Sequence, residues 1–334
     1  MQHFQRFSDA LPLRALAFEG EDACSFLQGQ FTNDCLVLTE PSENGEFPVQ
    51  ITGYCSPKGR LLALGRLFRV LNNRFVWILP SEVAAPIQKR LQMFVLRARV
   101  QLALLDSAVS LLWQASSASG LPANNWGAVS PDGSLLMRLQ DCPLLGARSL
   151  VICPSSTLES DLIPKEASPQ SPLVFDASQI LSGEPQIRLS TQDRFVPQMV
   201  NLDLLGGVSF TKGCYPGQEV VARSHYLGKL KRRLFGVHFT SPEEPVAAGD
   251  AIWSSADPAQ PCGEIVSLSL GVNAQGHLLP DQSVALIECT LDAWKGAMAG
   301  DLLWIEGHED RALLPSALPY EVPTEVQEPK RPKL

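Results

Sequence analysis

Gly206-Gly207-Val208-Ser209-Phe210-Thr211-Lys212-Gly213-Cys214-Tyr215-Pro216-Gly217-Gln218-Glu219 is the stretch from which the rest of the chain is read. An apolar pair gives way to a glycine-bracketed turn. Pro216, with its φ fixed near the helical value, suits the first position of a helix through Val220, Val221 and Arg223. That spacing sets Cys214 just ahead of a helix N-terminus. Unpaired N–H groups and the positive end of the helix dipole favour a thiolate there, and Lys212 adds a cation two residues upstream. Gly213 and Gly217 carry no side chain to block a ligand's approach. Free cysteines are more often buried packing residues than nucleophiles, and on these residues alone the two roles stand level for Cys214.

The other cysteines lie at 24, 35, 55, 142, 153, 262 and 289, with no CxxC pair and no tight Cys/His cluster. A structural zinc site and a disulfide mini-scaffold are both disfavoured, and these seven read as buried apolar filler. The chain has 334 residues, 45% of them hydrophobic and 19% charged. That length suggests about two domains and excludes global disorder and a charged coiled coil. The net charge of −8 repels polyanions, so direct nucleic-acid binding is disfavoured except through a local patch. No apolar run near the N-terminus is long enough for a signal peptide, and the longest uncharged run, 107–131, is too polar to span a bilayer. A cytoplasmic, reduced protein is the expectation.

Toward the N-terminus, 15–19 reads as a strand, and Glu21-Asp22 open a short helix through Phe26-Leu27. Residues 49–54 and 60–71 pair about the turn Ser56-Pro57-Lys58-Gly59, and Asn72-Asn73 turn the chain into 75–79. Ser81 suits the cap of a helix carrying Ile87, Leu91, Phe94 and Val95, whose regular part begins near Pro86. A strand with Val100, Leu102 and Leu104 on one face follows. Residues 116–125 and 154–172 read as loops. Beyond Lys229 the pattern becomes short strands without helical periodicity, at 230–239, 262–270, 283–290 and 301–306, which suggests a small barrel or sandwich with a boundary near 228–232. The Pro- and charge-rich residues 321–334 read as a flexible tail.

Lys212-Gly213-Cys214-Tyr215-Pro216-Gly217-Gln218-Glu219 resembles the K-G-C-Y-x-G-Q-E signature of the YgfZ-type folate-binding proteins, relatives of the glycine-cleavage aminomethyltransferase, the T-protein. Phe26-Leu27-Gln28-Gly29-Gln30-Phe31-Thr32-Asn33-Asp34 is similar to that family's early FLQGQ-x-TND segment. Pro57-Lys58-Gly59-Arg60 is similar to its hairpin turn, and Phe195-Val196-Pro197-Gln198 with Asn201-Leu202 to its approach to the signature. The resemblance covers residues 15–230. It implies an α+β, aminomethyltransferase-like folate-binding fold of antiparallel sheets and short helices. Residues 1–228 would form two packed subdomains around a central channel, and a small C-terminal β-barrel at 229–320 would close it.

The resemblance further implies tetrahydrofolate or a folate derivative as cofactor. It implies a role in assembly or repair of iron–sulfur enzymes and, through them, in tRNA modification. Cys214 and Lys212 are then the chemical residues. Asn33, Asp34, Phe175, Gln198, Tyr215, Gly217, Gln218, Glu219 and Arg223 are the cofactor-binding ones.

Some positions depart from those relatives. Residues 58–80 contain no Asp or Glu, where the T-protein has a carboxylate that assists chemistry at the folate nitrogen. In Ile180-Leu181-Ser182-Gly183-Glu184-Pro185, Leu181 stands where relatives place a pterin-binding Glu, with Glu184 as a substitute from a shifted backbone. Leu13 and Phe175 stand where some members carry tryptophans. An accessory folate-binding protein is therefore the first reading and a one-carbon, aminomethyl-type transferase the second. An RNA-binding module ranks third, using Arg223, Lys229, Lys231, Arg232 and Arg233, a cluster that reads more simply as a solvated strand face. His225 and His238 are expected in surface or packing roles. Trp113, Trp126, Trp253, Trp294 and Trp304 are expected in the core or at its rim.

Overall fold

The computed structural model describes residues 6–71, 73–114, 125–163, 165, 169–226 and 230–325. Its first part runs β1 (Arg6–Phe7), β2 (Leu13–Glu19), α1 (Ala23–Gln28), β3 (Glu46–Cys55), β4 (Leu61–Val70), β5 (Arg74–Pro80), α2 (Ser81–Gln92), β6 (Gln101–Leu104), β7 (Ala108–Gln114), β8 (Trp126–Val129), β9 (Leu135–Arg138) and β10 (Ala147–Cys153). These strands form one ten-stranded sheet in the order β1-β7-β10-β9-β8-β3-β4-β5-β2-β6. The described pairings within it are antiparallel.

The central strands are apolar on both faces, and their period of 2 feeds two cores. In β5, Val76 and Ile78 join one core while Phe75, Trp77 and Leu79 join the other. In β2, Leu13 and Ala15 divide from Leu16 and Phe18 in the same way. Helices α1 and α2 cover the second core, through residues such as Phe26, Leu27, Val83 and Ile87.

The rest of the chain supplies α3 (Leu173–Leu181), α4 (Gln218–Tyr226), β11 (Arg232–Thr240), β12 (Ala251–Ser254), β13 (Gly263–Val272), β14 (Leu278–Thr290), α5 (Leu291–Ala299), β15 (Leu303–Ile305) and β16 (Leu314–Ser316). Val174, Phe175 and Ala177 of α3 pack into the first core. A separate apolar cluster joins Cys55, Leu61 and Leu64 of the β3–β4 hairpin to Phe195, Leu202, Val221 of α4 and Leu234 of β11. It seats the signature segment between the two sheets.

The C-terminal sheet corrects the expected closed barrel. Its order is β15-β12-β13-β14-β11-β16, with no ladder described between its outer strands. Each outer strand is only three residues long, and one backbone bond, Leu313 N–H to Leu303 O at 2.8 Å, links their ends. The result is a half-barrel whose core is completed by α5, a helix the strand pattern did not predict. Thr290 caps it by accepting from Ala293 N, Gly300 ends it at φ 113°, and Trp294 stacks on Phe235 at 4.2 Å.

Smaller corrections follow the same physics. Ser81 is the first residue of α2 after Pro80, so it lies inside the helix, and Pro86 is tolerated in its interior. The helix ends at Gln92, leaving Phe94 and Val95 beyond it, and Leu96 turns the chain at φ 44°. Asn73 adopts φ 53° in the expected turn, and Asn72 lies outside the described residues. Of the expected tail, 321–325 is described: Val322 packs on the C-terminal core and Glu325 pairs with Lys295 at 2.7 Å. Residues 326–334 lie outside the described set. Trp113 and Trp294 are buried, whereas Trp126 is 40% exposed.

Candidate functional site

Alternation along β4 turns Leu64, Arg66 and Phe68 to one face, and Leu64 and Arg66, with Gly65, border a cavity of about 40 Å³ that opens to solvent. Leu13, Phe175 of α3 and Leu205 supply apolar wall, and Gln179, Glu184 and Gln186 supply polar groups. A second cavity of about 310 Å³ shares Gln179 and Gln186 with the first and continues to Asp176, Arg188 and residues 246–248.

A buried ionic group lies beside the first cavity. Glu184 Oε2 lies 2.8 Å from Arg66 Nη2 and 3.2 Å from Arg148 Nη2. Arg148 also donates to Ser178 Oγ, Gln179 Oε1 and Gln140 O at 2.8, 2.9 and 3.0 Å, which fixes it in place. Burial alone would push the Glu184 carboxyl up, but the charges of Arg66 and Arg148 outweigh it and hold the pKa below the usual value. Among the residues bordering this cavity Glu184 is the sole acid, and it is held ionised by two guanidiniums. That makes it a poor general base or acid.

The signature segment forms a second feature. Its helix begins at Gln218, two residues later than Pro216 predicts, with Gln218 N–H bonded to Tyr215 O. Cys214 therefore lies four residues before the first helical residue, and it is exposed. Lys212 points elsewhere. Its Nζ donates to the carbonyls of Gln28, Phe31 and Asn33 at 2.7, 2.6 and 3.0 Å and lies 5.2 Å from the Tyr215 ring centre. Desolvation pushes its pKa down, opposed by Cys35 and Asp34. Its cation thus closes the loop after α1.

Gly217 has φ 78°, and a Cβ there would come 2.5 Å from Gly59 Cα and from Ser56 O. Its missing side chain makes room for the β3–β4 hairpin turn and not for a ligand. At Gly213, by contrast, an added Cβ would meet nothing within 4 Å.

Of the sequence-predicted site residues, Phe175 borders the cavity. Asn33 buttresses it: its Nδ2 donates to Ile51 O at 2.9 Å and Gly206 O at 2.8 Å, and Ile51 and Leu205, which adjoin those contacts, border the cavity. Asp34 accepts from Gln28 Nε2 and Leu36 N, both at 3.0 Å, and caps a short 3-10 turn. Gln198 is buried against Val221 O at 2.7 Å, and Tyr215 is buried, its hydroxyl pKa raised by desolvation.

Gln218 and Glu219 open α4, where the exposed Glu219 pairs with Arg223 at 2.8 Å. These residues hold the cavity wall and the signature loop together without converging on one point. Of the basic cluster, Arg223, Arg232 and Arg233 are paired with acids, and Lys229 lies outside the described residues. Arg233, expected on a solvated face, is buried and pairs with Asp203 at 2.6 and 3.0 Å, while Arg232 pairs with Glu288 at 2.8 Å. His238 Nδ1 lies 2.9 Å from Ser316 Oγ, and His225 stacks on Phe210.

Arg66, Arg148, Gln179 and Gln186 were not foreseen. Arg66 could have been: a charge between Leu64 and Phe68 on one face of a strand marks a polar group turned into the interior.

No protein-family model matches the chain. A tRNA-modifying protein YgfZ of Edwardsiella ictaluri is 33% identical over 264 residues, covering 73% of each chain. The chain belongs to the YgfZ family of tRNA-modifying proteins. A YgfZ protein of Colwellia psychrerythraea is 28% identical over 92% of this chain and 90% of its own length, so the family likeness runs through both sheets. The fold is also that of the glycine cleavage system aminomethyltransferase T of Bartonella henselae, at a TM-score of 0.71 over 95% of this chain and 87% of that one, with 16% identity. The YgfZ family thus shares the aminomethyltransferase-like architecture anticipated above.

Proposed function

We propose that this YgfZ-family protein binds a reduced folate in the cavity between Leu13 and Phe175 and acts as an accessory to iron–sulfur enzymes of tRNA modification. The observation that carries the reading is the cavity itself, with apolar walls and a paired ionic group at its edge. The neighbouring cavity of about 310 Å³ offers room for the remainder of an extended ligand. Cys214 is exposed on a loop clamped by Lys212 and the Gly59–Gly217 contact, so its thiol is presented on a fixed backbone.

Aminomethyl transfer is a poorer fit. Leu64 borders the cavity on the strand where the T-protein resemblance puts a carboxylate, and Glu184 is committed to two arginines.

The test is complementation of a bacterium lacking its YgfZ homologue, read as the content of enzymatically modified tRNA nucleosides. The full chain is expected to restore it, and Leu205→Trp, which fills the cavity from a half-buried position on its wall, and Cys214→Ser to fail while still folded. Full restoration by both variants would remove the cavity and the thiol from the function.

A further inference from the structure

Where α2 ends, large apolar side chains project into solvent from adjoining positions: Met93 is 62% exposed, Phe94 43% and Leu96 89%. The backbone beneath them is well held. Phe94 N–H bonds to Leu91 O at 2.9 Å and Ala98 N–H to Val95 O at 2.7 Å, so the chain folds into successive turns. Leu91, Val95 and Ala98 pack into the second core. Asp22 clasps the base, its Oδ2 accepting from Arg99 N–H at 2.7 Å and its own N–H bonding to Arg99 O at 3.3 Å. Leu96 takes φ 44°, a left-handed conformation that is strained for a bulky residue and that Asn adopts more readily. The turn thus holds a leucine outward against both backbone strain and the cost of hydrating it.

Cations form a collar around this tip. Residues 83–105 carry Lys89, Arg90, Arg97 and Arg99 and contain no Asp or Glu. Arg99 is paired with Glu21 and Asp22, and Arg90 hydrogen-bonds Tyr54. Lys89 and Arg97 are exposed and have no ion pair among the described residues. The collar is therefore positive on a chain whose net charge is −8.

Size and charge together choose the occupant. Three apolar side chains fall far short of the roughly 20–30 residues a side that a stable protein interface uses. A second copy meeting the tip about a two-fold axis would set like-charged collars against each other. A nucleic acid would find one ring to stack on, beside a thioether chain and a leucine that offer no flat face. A bilayer surface needs only apolar tips for the acyl boundary and cations for the headgroup phosphates.

We propose that the turn after α2 is a wedge that docks the protein reversibly on an anionic lipid surface. Met93, Phe94 and Leu96 enter the acyl boundary, and Lys89 and Arg97 meet headgroup phosphates. The proposal is independent of the folate reading. Because the molecule as a whole is acidic, attachment runs through this tip and weakens with salt.

The experiment is co-sedimentation of the full chain with vesicles of phosphatidylcholine alone and of phosphatidylcholine and phosphatidylglycerol in equal parts. Saturable binding to the mixed vesicles is expected at low ionic strength, with affinity lower by about fivefold or more on the neutral vesicles and at high salt. Leu96→Asn suits the left-handed turn, so it is expected to keep or raise the melting temperature while weakening mixed-vesicle binding by about fivefold or more. Arg97→Gln is expected to weaken binding to the mixed vesicles by about fivefold and to leave the neutral ones unaffected. No binding to the mixed vesicles, equal binding to both kinds, or unchanged binding by Leu96→Asn would overturn the proposal. So would a dimer, seen by sedimentation velocity without lipid, that Leu96→Asn dissociates, since a second copy would then cover the tip.

Discussion

The ammonium of Lys212 lies within 3.0 Å of three carbonyl oxygens of the loop that follows α1, a residue span away from the thiol it neighbours in sequence. Its bonds to Asn33 O and those of the Asn33 side chain to Ile51 O and Gly206 O run in series from the signature to the cavity wall. Lys212→Met would leave those carbonyls without their donor. Losing charge-assisted bonds to partly buried acceptors is expected to cost on the order of 3 kcal/mol, read as a lower urea midpoint at unchanged slope. An unchanged midpoint would mean that water replaces the ammonium freely.

The cysteine reading was sound in outline at this scale. Six of the other seven are buried, Cys24 is intermediate and Cys214 alone among them is exposed. What the sequence could not convey was where the Lys212 side chain points, because its carbonyl partners lie about 180 residues away in the chain.

Among elements, the β3–β4 hairpin turn and the loop before α4 meet through two glycines in left-handed conformations, Gly59 at φ 72° and Gly217 at φ 78°. Gly217→Ala is expected to destabilise the protein by more than about 2 kcal/mol, from backbone strain plus the clash with Gly59. Gly213→Ala, facing open space, should change stability by less than about 0.5 kcal/mol. Thermal melts of the two variants side by side decide the matter, and equal shifts would contradict the packing described.

The strands β4 and β5 could be read from sequence because their apolar residues are continuous and their turn residues plain. The half-barrel and α5 could not. The strand pattern ending at Thr290 gave no hint that the same residue caps a helix, and closure depends on edge strands too short to show a period.

The C-terminal sheet also carries a titration. Burial pushes Glu288 of β14 up to about 7, against the pull of Arg232 and with a like charge, Glu264, facing it across the ladder. The folded state therefore holds a proton between about pH 4.5 and 7 that the unfolded chain has released. The stability this supplies is complete below the lower value and is lost as pH rises through the upper one. Glu288→Gln should remove that slope. Relative to wild type it should gain up to about 3 kcal/mol between pH 5 and pH 8, by denaturant titration at each pH. A constant difference would show that the carboxyl titrates normally.

At the scale of the whole molecule, the signature and its companion segments pointed to the YgfZ and aminomethyltransferase-like architecture, which the relatives and the fold bear out. The cavity was only partly foreseen. Phe175 came from the resemblance, whereas Arg66 and Gln186 reach it from β4 and the segment after α3, and Arg148 of β10 meets Glu184 at its border. Pairing across 36 residues between Arg148 and Glu184, and across 118 between Arg66 and Glu184, is a tertiary fact with no local periodicity to announce it.

The central claim is that a folate ring lies between Leu13 and Phe175. The most direct measurement is titration calorimetry of the full chain and of Leu205→Trp, which fills the cavity from its half-buried wall, with tetrahydrofolate. Saturable binding by the wild-type chain that the variant loses while keeping its circular dichroism spectrum is the predicted result. No binding by the wild-type chain, or equal binding by both, would contradict it.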